Sequence, residues 1–192
     1  MVPPTVERDV GLWFHLDTNR INSRGRLPNV NQLEEWDRNG VIHVSLSEPS
    51  MREAEQGRDP IRRRKAYSYT AWATFWDTEH EQAQARAIEA ILFPGGARTP
   101  NQGNDVEIVF TTLKYPAILV TNDGASKSQP GGILGRREEL QAWDNRIRIM
   151  TDDEAVHAVA DRIRKRDERA QTYNAMFGHP LPDWVGMDDP SL

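Results

Sequence analysis

A chain of 192 residues carrying 24 Lys and Arg against 29 Asp and Glu has a formal net charge of −5, which excludes a uniformly basic nucleic-acid coat protein but not a local basic groove. Its length and its 38% hydrophobic and 8% aromatic content suit one domain with a tail or an insertion, and the absence of cysteine excludes disulfides, zinc–thiolate centres and thiol nucleophiles. The opening MVPPTVERDV lacks the apolar run of a signal peptide, and no stretch reaches the roughly 18 apolar residues of a membrane span, so the expectation is a soluble cytoplasmic protein with no membrane partner.

Residues 1–10 are polar and contain prolines, and read as a loose lead-in. GLWFHL (11–16) has bulky residues on both alternating faces, the pattern of a central parallel strand covered on both sides. It stops at Asp17-Thr18-Asn19, all turn or cap formers. Leu27-Pro28-Asn29 opens a helix with Val30, Leu33 and Trp36 at helical spacing, and Gly40 ends it. VIHVSL (41–46) predicts a second strand, followed by a helix with Ser47 as N-cap and Gly57 as stop. This βαβα order predicts an α/β fold with a parallel sheet.

RDPIRRRK (58–65) reads as a basic link. The stretch 66–93 predicts the longest helix, with Tyr69, Trp72, Trp76, Ala83, Ala87 and Ile91 along one side and a break near Asp77-Thr78. Residues 94–104 read as a loop. DVEIVFTTLKY (105–115) is ambiguous by period, and its β-branched content favours a strand. AILVTND (117–123) predicts a buried strand ending in an acid, 124–132 a loop, and ILGRREELQAW a short helix. RIRIMT (146–151) predicts an outer strand, the stretch from Asp152 to Phe177 a charged helix, and 178–192 a tail.

Three acids stand at telling places. Asp17 ends the first strand, Asp123 ends the strand AILVT, and Asp105 follows a glycine-containing loop. In an open parallel sheet, ligands bind beyond the carboxyl ends of strands near the switch in strand order, so acids distant in sequence can meet there. Glu53, on the helix after the second strand, can face the same cleft. Gathered carboxylates repel one another unless a cation relieves the charge. The hard ions Mg²⁺ and Mn²⁺ prefer such oxygen ligands.

These segments resemble the PIN-domain nuclease family. LDTNRINS is similar to its first strand ending in Asp, then Thr or Ser and Asn. VSLSEPSMREAEQG supplies Ser47, Glu53, Ala54 and Gly57 in the pattern of its second motif. GNDVEIVFTTLKY supplies Asp105 as the acid that opens a helix, and ILVTND supplies Thr121, Asn122 and Asp123. The matched order covers roughly residues 11–165. The segment between Glu53 and Asp105 is longer than in compact toxin-type members, and the residues after Asp105 are bulkier.

The resemblance implies a three-layer α/β/α fold with a central, mostly parallel sheet of about five strands. It implies a PIN-like domain over 11–177, with 58–104 as a helical insertion and loop. It also implies an endoribonuclease dependent on Mg²⁺ or Mn²⁺. Asp17, Asp105, Asp123 and Glu53 would be its catalytic metal ligands, and Asn19, Arg20, Arg24, Thr121 and Asn122 its substrate-binding residues. The implied partners are an RNA substrate and an antitoxin or other inhibitor protein, with a homodimer left open.

Plainer readings stand beside these. An Asp at a strand end is an ordinary turn former, and Asp105 can simply cap a helix. Glu53 competes with Glu48 and Glu55. His15 reads as a core histidine, the run 62–65 as a solvated linker, and Trp72, Phe75 and Trp76 as core or protein interface. Asp144 and Asp152 read as solvated. A non-catalytic RNA- or protein-binding module with an incomplete metal site remains open, with the direction of Glu53 as the discriminator. Phospho-aspartate chemistry on Asp17 fails on pattern, because Asn19 stands where a second Asp is required.

Overall fold

The computed structural model describes residues 6–124 and 131–189. Most of the loop expected at 124–132 lies outside these residues.

The first apolar run forms strand β1, Trp13–Leu16. Phe14 and Leu16 are buried on one face and His15 on the other, which is why the run lacks polar alternation. A single 3-10 turn, Thr18–Arg20, follows at once. Helix α1, Pro28–Arg38, buries Val30, Leu33 and Trp36. Gly40, at φ +70°, closes it in the left-handed conformation that suits glycine. Strand β2, His43–Ser47, leads into α2, Glu48–Gln56, whose N-cap Ser47 accepts from the Ser50 amide and whose stop is Gly57.

The segment 58–104 departs from expectation. The basic link is a helix, α3, Pro60–Ala66, because Asp59 accepts from the amides of Ile61 and Arg62 and proline fits the first turn. The tryptophan-rich stretch is extended rather than helical: strand β3, Thr70–Trp72, pairs in parallel with β2. Its Thr, Tyr and Trp content favours a pleated edge, and this outweighs the helical spacing of Tyr69, Trp72 and Trp76. The true helix start is the reciprocal cap between Thr78 and Glu81, which opens α4, Glu79–Leu92. A second such cap, Thr99 with Gln102, opens α5, Pro100–Lys114. Residues 100–104, expected in a loop, are therefore helical, and Asp105 lies in the second turn rather than at the opening. Residues 106 and 108–113 of α5 are all buried. A helix buried on most sides shows no amphipathic period, so its β-branched content looked like a strand.

Strand β4, Ile118–Val120, is followed by α6, Gly132–Gly135, and α7, Arg137–Trp143. Strand β5, Arg148–Met150, precedes the long α8, Asp152–Phe177, capped by Thr151 and Glu154. All five strands are parallel, in the order β3-β2-β1-β4-β5. One sheet face carries Phe14, Leu16, Val44, Leu46, Ile118 and Val120 against α1 and α8. The other carries Leu119 and Ile149 against α4, α5 and α7. The result is a three-layer α/β/α fold whose strand order reverses between β1 and β4.

The described segments that flank the domain are tied in. The N-terminal arm and the segment after α8 meet where Arg8 pairs with buried Asp188 at 2.6 Å. Trp36 donates to the Asp188 carbonyl at 2.9 Å, and Arg166 stacks 4.3 Å from the Trp184 ring. The lead-in over 6–10 and the tail up to residue 189 thus pack against α1 and α8. Among the described residues no helix is long and apolar enough to cross a membrane.

Candidate active site

The reversal of strand order opens the sheet beyond the carboxyl ends of β1 and β4, where this class of fold binds ligands. Asp17 stands directly after β1, and its amide donates to the Val120 carbonyl at 2.9 Å. Thr121, directly after β4, donates its hydroxyl to Asp17 Oδ2 at 2.6 Å. The Asn19 amide donates to the same oxygen and, at 3.3 Å, to Thr121 Oγ1. Asn19 Oδ1 accepts the Asn122 amide at 3.1 Å. Asn19, Thr121 and the Asn122 backbone therefore lock the two strand ends together.

Glu53 turns inward. Its Oε2 accepts from the Thr18 hydroxyl at 2.6 Å and its Oε1 from the Asn104 amide at 2.8 Å. This bridges α2 to the turn after β1 and to the helix that carries Asp105. Asp123 accepts the Ile133 amide on Oδ2 at 2.9 Å and the Leu134 amide on its carbonyl at 3.0 Å. It thereby anchors the start of α6.

The charges of the four acids reach one another. Burial pushes the Asp17 carboxyl up to about 6, with Glu53 and Asp123 adding to the rise and Thr121 opposing it. Burial likewise pushes Asp105 up to about 8, and Asp17, Asp123 and Glu53 each add to it. No hydrogen-bond donor among the described residues reaches the Asp105 carboxylate, so nothing offsets that burden. A carboxylate set under mutual repulsion, with oxygen donors throughout, matches the chemistry of a hard divalent cation. As the side chains stand, no three His, Asp or Glu of the described residues are disposed around one ion position. Asp17 and Asp123 each direct one oxygen, Oδ2, to protein donors.

No protein-family model and no curated protein matches this chain.

The other expected residues take different places. Arg20 donates to the Asn19 carbonyl at 3.1 Å and pairs with Asp152 at 3.4 Å, bracing the rim. Arg24 pairs with Asp59 at the start of α3, at 3.2 Å. Asp144 pairs with Arg146 at 2.6 Å. His15 is a core residue, and burial lowers its pKa to about 4, so it is neutral. Of the basic run, Arg62 donates to the Thr18 carbonyl, Arg63 to the Gly57 carbonyl and Lys65 to Glu34. Trp72 lies 4.9 Å from Tyr115, while Phe75 and Trp76 are exposed.

Thr18, Arg62, Asn104 and Gly132 bear on the site without being singled out by sequence. Thr18 sits inside the DTN segment, which marks it in retrospect. Arg62 belongs to the basic run read as a solvated linker and instead donates to the Thr18 carbonyl, while Asn104 carries no local signal, because only packing brings it near. Thr18→Val keeps the shape but removes the bond to Glu53. We expect a loss of about 1–2 kcal/mol in urea unfolding, with Thr18→Ser restoring most of it. An unchanged midpoint in Thr18→Val would mean that the Glu53 contact contributes nothing.

Proposed function

We propose that this chain is a PIN-like endonuclease that hydrolyses RNA phosphodiester bonds with Mg²⁺ or Mn²⁺ at the acidic cleft. The observation that carries the reading is the inward Glu53, bonded to Thr18, in the company of Asp17, Asp105 and Asp123 at the strand-order reversal. Asp17, Asp105 and Asp123 would hold the ion, with Glu53 completing the set directly or through water. A bound ion of this kind supplies an activated water and neutralises charge growing on the phosphodiester. Thr121 and Asn19 hold the Asp17 carboxylate in place. Arg62, braced on the Thr18 carbonyl, sets the turn that presents Asp17 and Thr18. The choice of RNA and of an antitoxin or other inhibitor protein as partner rests on the family resemblance, and a cytoplasmic setting on the absence of cysteine and of a membrane-length apolar run in the sequence.

A non-catalytic binding module is the second reading. It is favoured by the absence, among the described residues, of three acids disposed around one ion position. The deciding experiment is cleavage of unstructured RNA in Mn²⁺ or Mg²⁺ by the native chain and by Asp17→Asn. The nuclease reading expects metal-dependent cutting that the variant loses. Cutting that persists undiminished in Asp17→Asn removes the assignment, and RNA binding without cutting moves the second reading ahead.

A further inference from the structure

Helix α8 carries Arg162, Lys165, Arg169 and Tyr173 at successive steps of three, four and four residues, with Arg166 four residues after Arg162 and three before Arg169, and all five line one face of the helix. With the N-terminal arm they line a hollow of about 370 Å³. Arg166 is its buried floor, held by Asp188 at 3.1 Å and donating to the Arg8 carbonyl at 2.7 Å. Its Nη2, 2.8 Å from Asp167, is buried yet makes no aligned hydrogen bond. Arg162, Lys165 and Arg169 are exposed, and none forms an ion pair with a described residue. The basic partners in the ion pairs along this part of the helix are Arg164 and Arg166 instead.

The wall opposite holds two acids, but Asp9 is already engaged by His43 at 3.1 Å and by the Gly11 amide at 2.8 Å. Glu7 alone faces three unpaired cations. In a chain of net charge −5, such a concentration of uncompensated positive charge makes a local field for a polyanion. The stripe from residue 162 to residue 173 rises about 16 Å at roughly 1.5 Å per residue, the length of a few nucleotides. At its far end Tyr173 offers an aromatic ring, half-buried and 6.0 Å from Phe177, the platform on which an unpaired base stacks.

We propose that this face of α8 is a second binding site, for single-stranded RNA, in which Arg162, Lys165 and Arg169 contact backbone phosphates and Tyr173 stacks a base. It uses none of the acids of the cleft. The choice of RNA among polyanions rests on the nuclease reading. Binding without metal and cleavage with metal are separate measurements, so either can fail alone.

The test is fluorescence anisotropy of a labelled unstructured RNA oligonucleotide with the full chain in EDTA, over a range of salt. The native chain is expected to bind, and more weakly as salt rises. Arg162→Ala/Lys165→Ala/Arg169→Ala should bind at least tenfold more weakly, with the log–log salt slope reduced by about 2, three contacts at roughly 0.7 each. Tyr173→Leu should weaken binding about tenfold at an unchanged slope. Arg64→Ala/Arg98→Ala, which alters exposed cations off the stripe, should bind like the native chain, and thermal melts confirm that each variant is folded. Equal binding by the triple variant, no RNA binding by the native chain, or binding of anionic lipid vesicles in place of RNA each overturns the proposal.

Discussion

Asp105→Asn is expected to lower metal-dependent RNA cleavage about 10²–10³-fold, the several kcal/mol that a metal centre contributes, and at the same time to make the protein more stable. Burial, with the charges of Asp17, Asp123 and Glu53 adding to it and no described donor opposing it, pushes the Asp105 carboxyl up to about 8. An unfolded aspartate ionises near 4. Between these values the folded chain binds the proton and the unfolded chain does not. Stability from this group is therefore complete below about pH 4 and is lost as pH rises towards 8.

Asparagine removes that dependence. At pH 8 without divalent metal, the variant should gain about 2–4 kcal/mol, roughly 5–12 °C in the thermal midpoint for a chain of this size. The gain should shrink steadily below pH 8 and vanish near pH 4. Neutral His15 and the raised Asp17 carboxyl bend the pH curves of both proteins, so the difference between the two melts reports Asp105 together with its coupling to Asp17. Adding Mn²⁺ should raise the native midpoint, by about 2.7 kcal/mol at one hundred times the dissociation constant, and leave the variant almost unmoved. Parallel pH curves for the two proteins would show that Asp105 is not held under its neighbours' charge.

Gly132→Ala is expected to cost about 2–4 kcal/mol and to lower cleavage by about 100-fold. Gly132 has φ +53°, and a Cβ there meets the Asp123 carbonyl oxygen at 2.4 Å, its Oδ2 at 2.5 Å and its Cγ at 2.6 Å. A carbonyl oxygen of the backbone cannot swing aside as a long side chain can. The start of α6 and the Asp123 carboxylate must therefore separate, breaking the Ile133 and Leu134 bonds to Asp123. Gly25 has a similar φ of +63° with nothing near its missing Cβ, so Gly25→Ala carries the backbone strain alone. It should cost about 1–2 kcal/mol and leave cleavage intact. Native-level cleavage by Gly132→Ala would mean that the position of Asp123 is unimportant to the reaction.

The sequence was most legible where one local rule decided the outcome. Ser47 and Gly57 bound α2 because a cap and a stop act within one turn. GLWFHL read as a buried strand because both faces of β1 are covered. It was least legible where neighbours override local preference. Strand β3 exists because β2 offers it an edge, and α5 hides its period because helix and sheet bury it on most sides. Arg8 and Asp188 lie at opposite ends of the chain, and no window of sequence joins them.

The same division runs through the candidate site. By itself the sequence determined the α/β class, the position of Asp17 directly after β1 and the helical position of Glu53, because strand and helix signals are short-range, whereas Asp123 stands three residues beyond β4 rather than at its end. Tertiary structure alone decided that Glu53 turns towards Thr18, that the charges of the other three acids reach Asp105 where no described donor offsets them, and that Gly132 lets Asp123 approach α6. Those outcomes depend on distances between elements brought together by the order β3-β2-β1-β4-β5. Charge coupling between residues far apart in sequence exists only once the sheet has closed that gap.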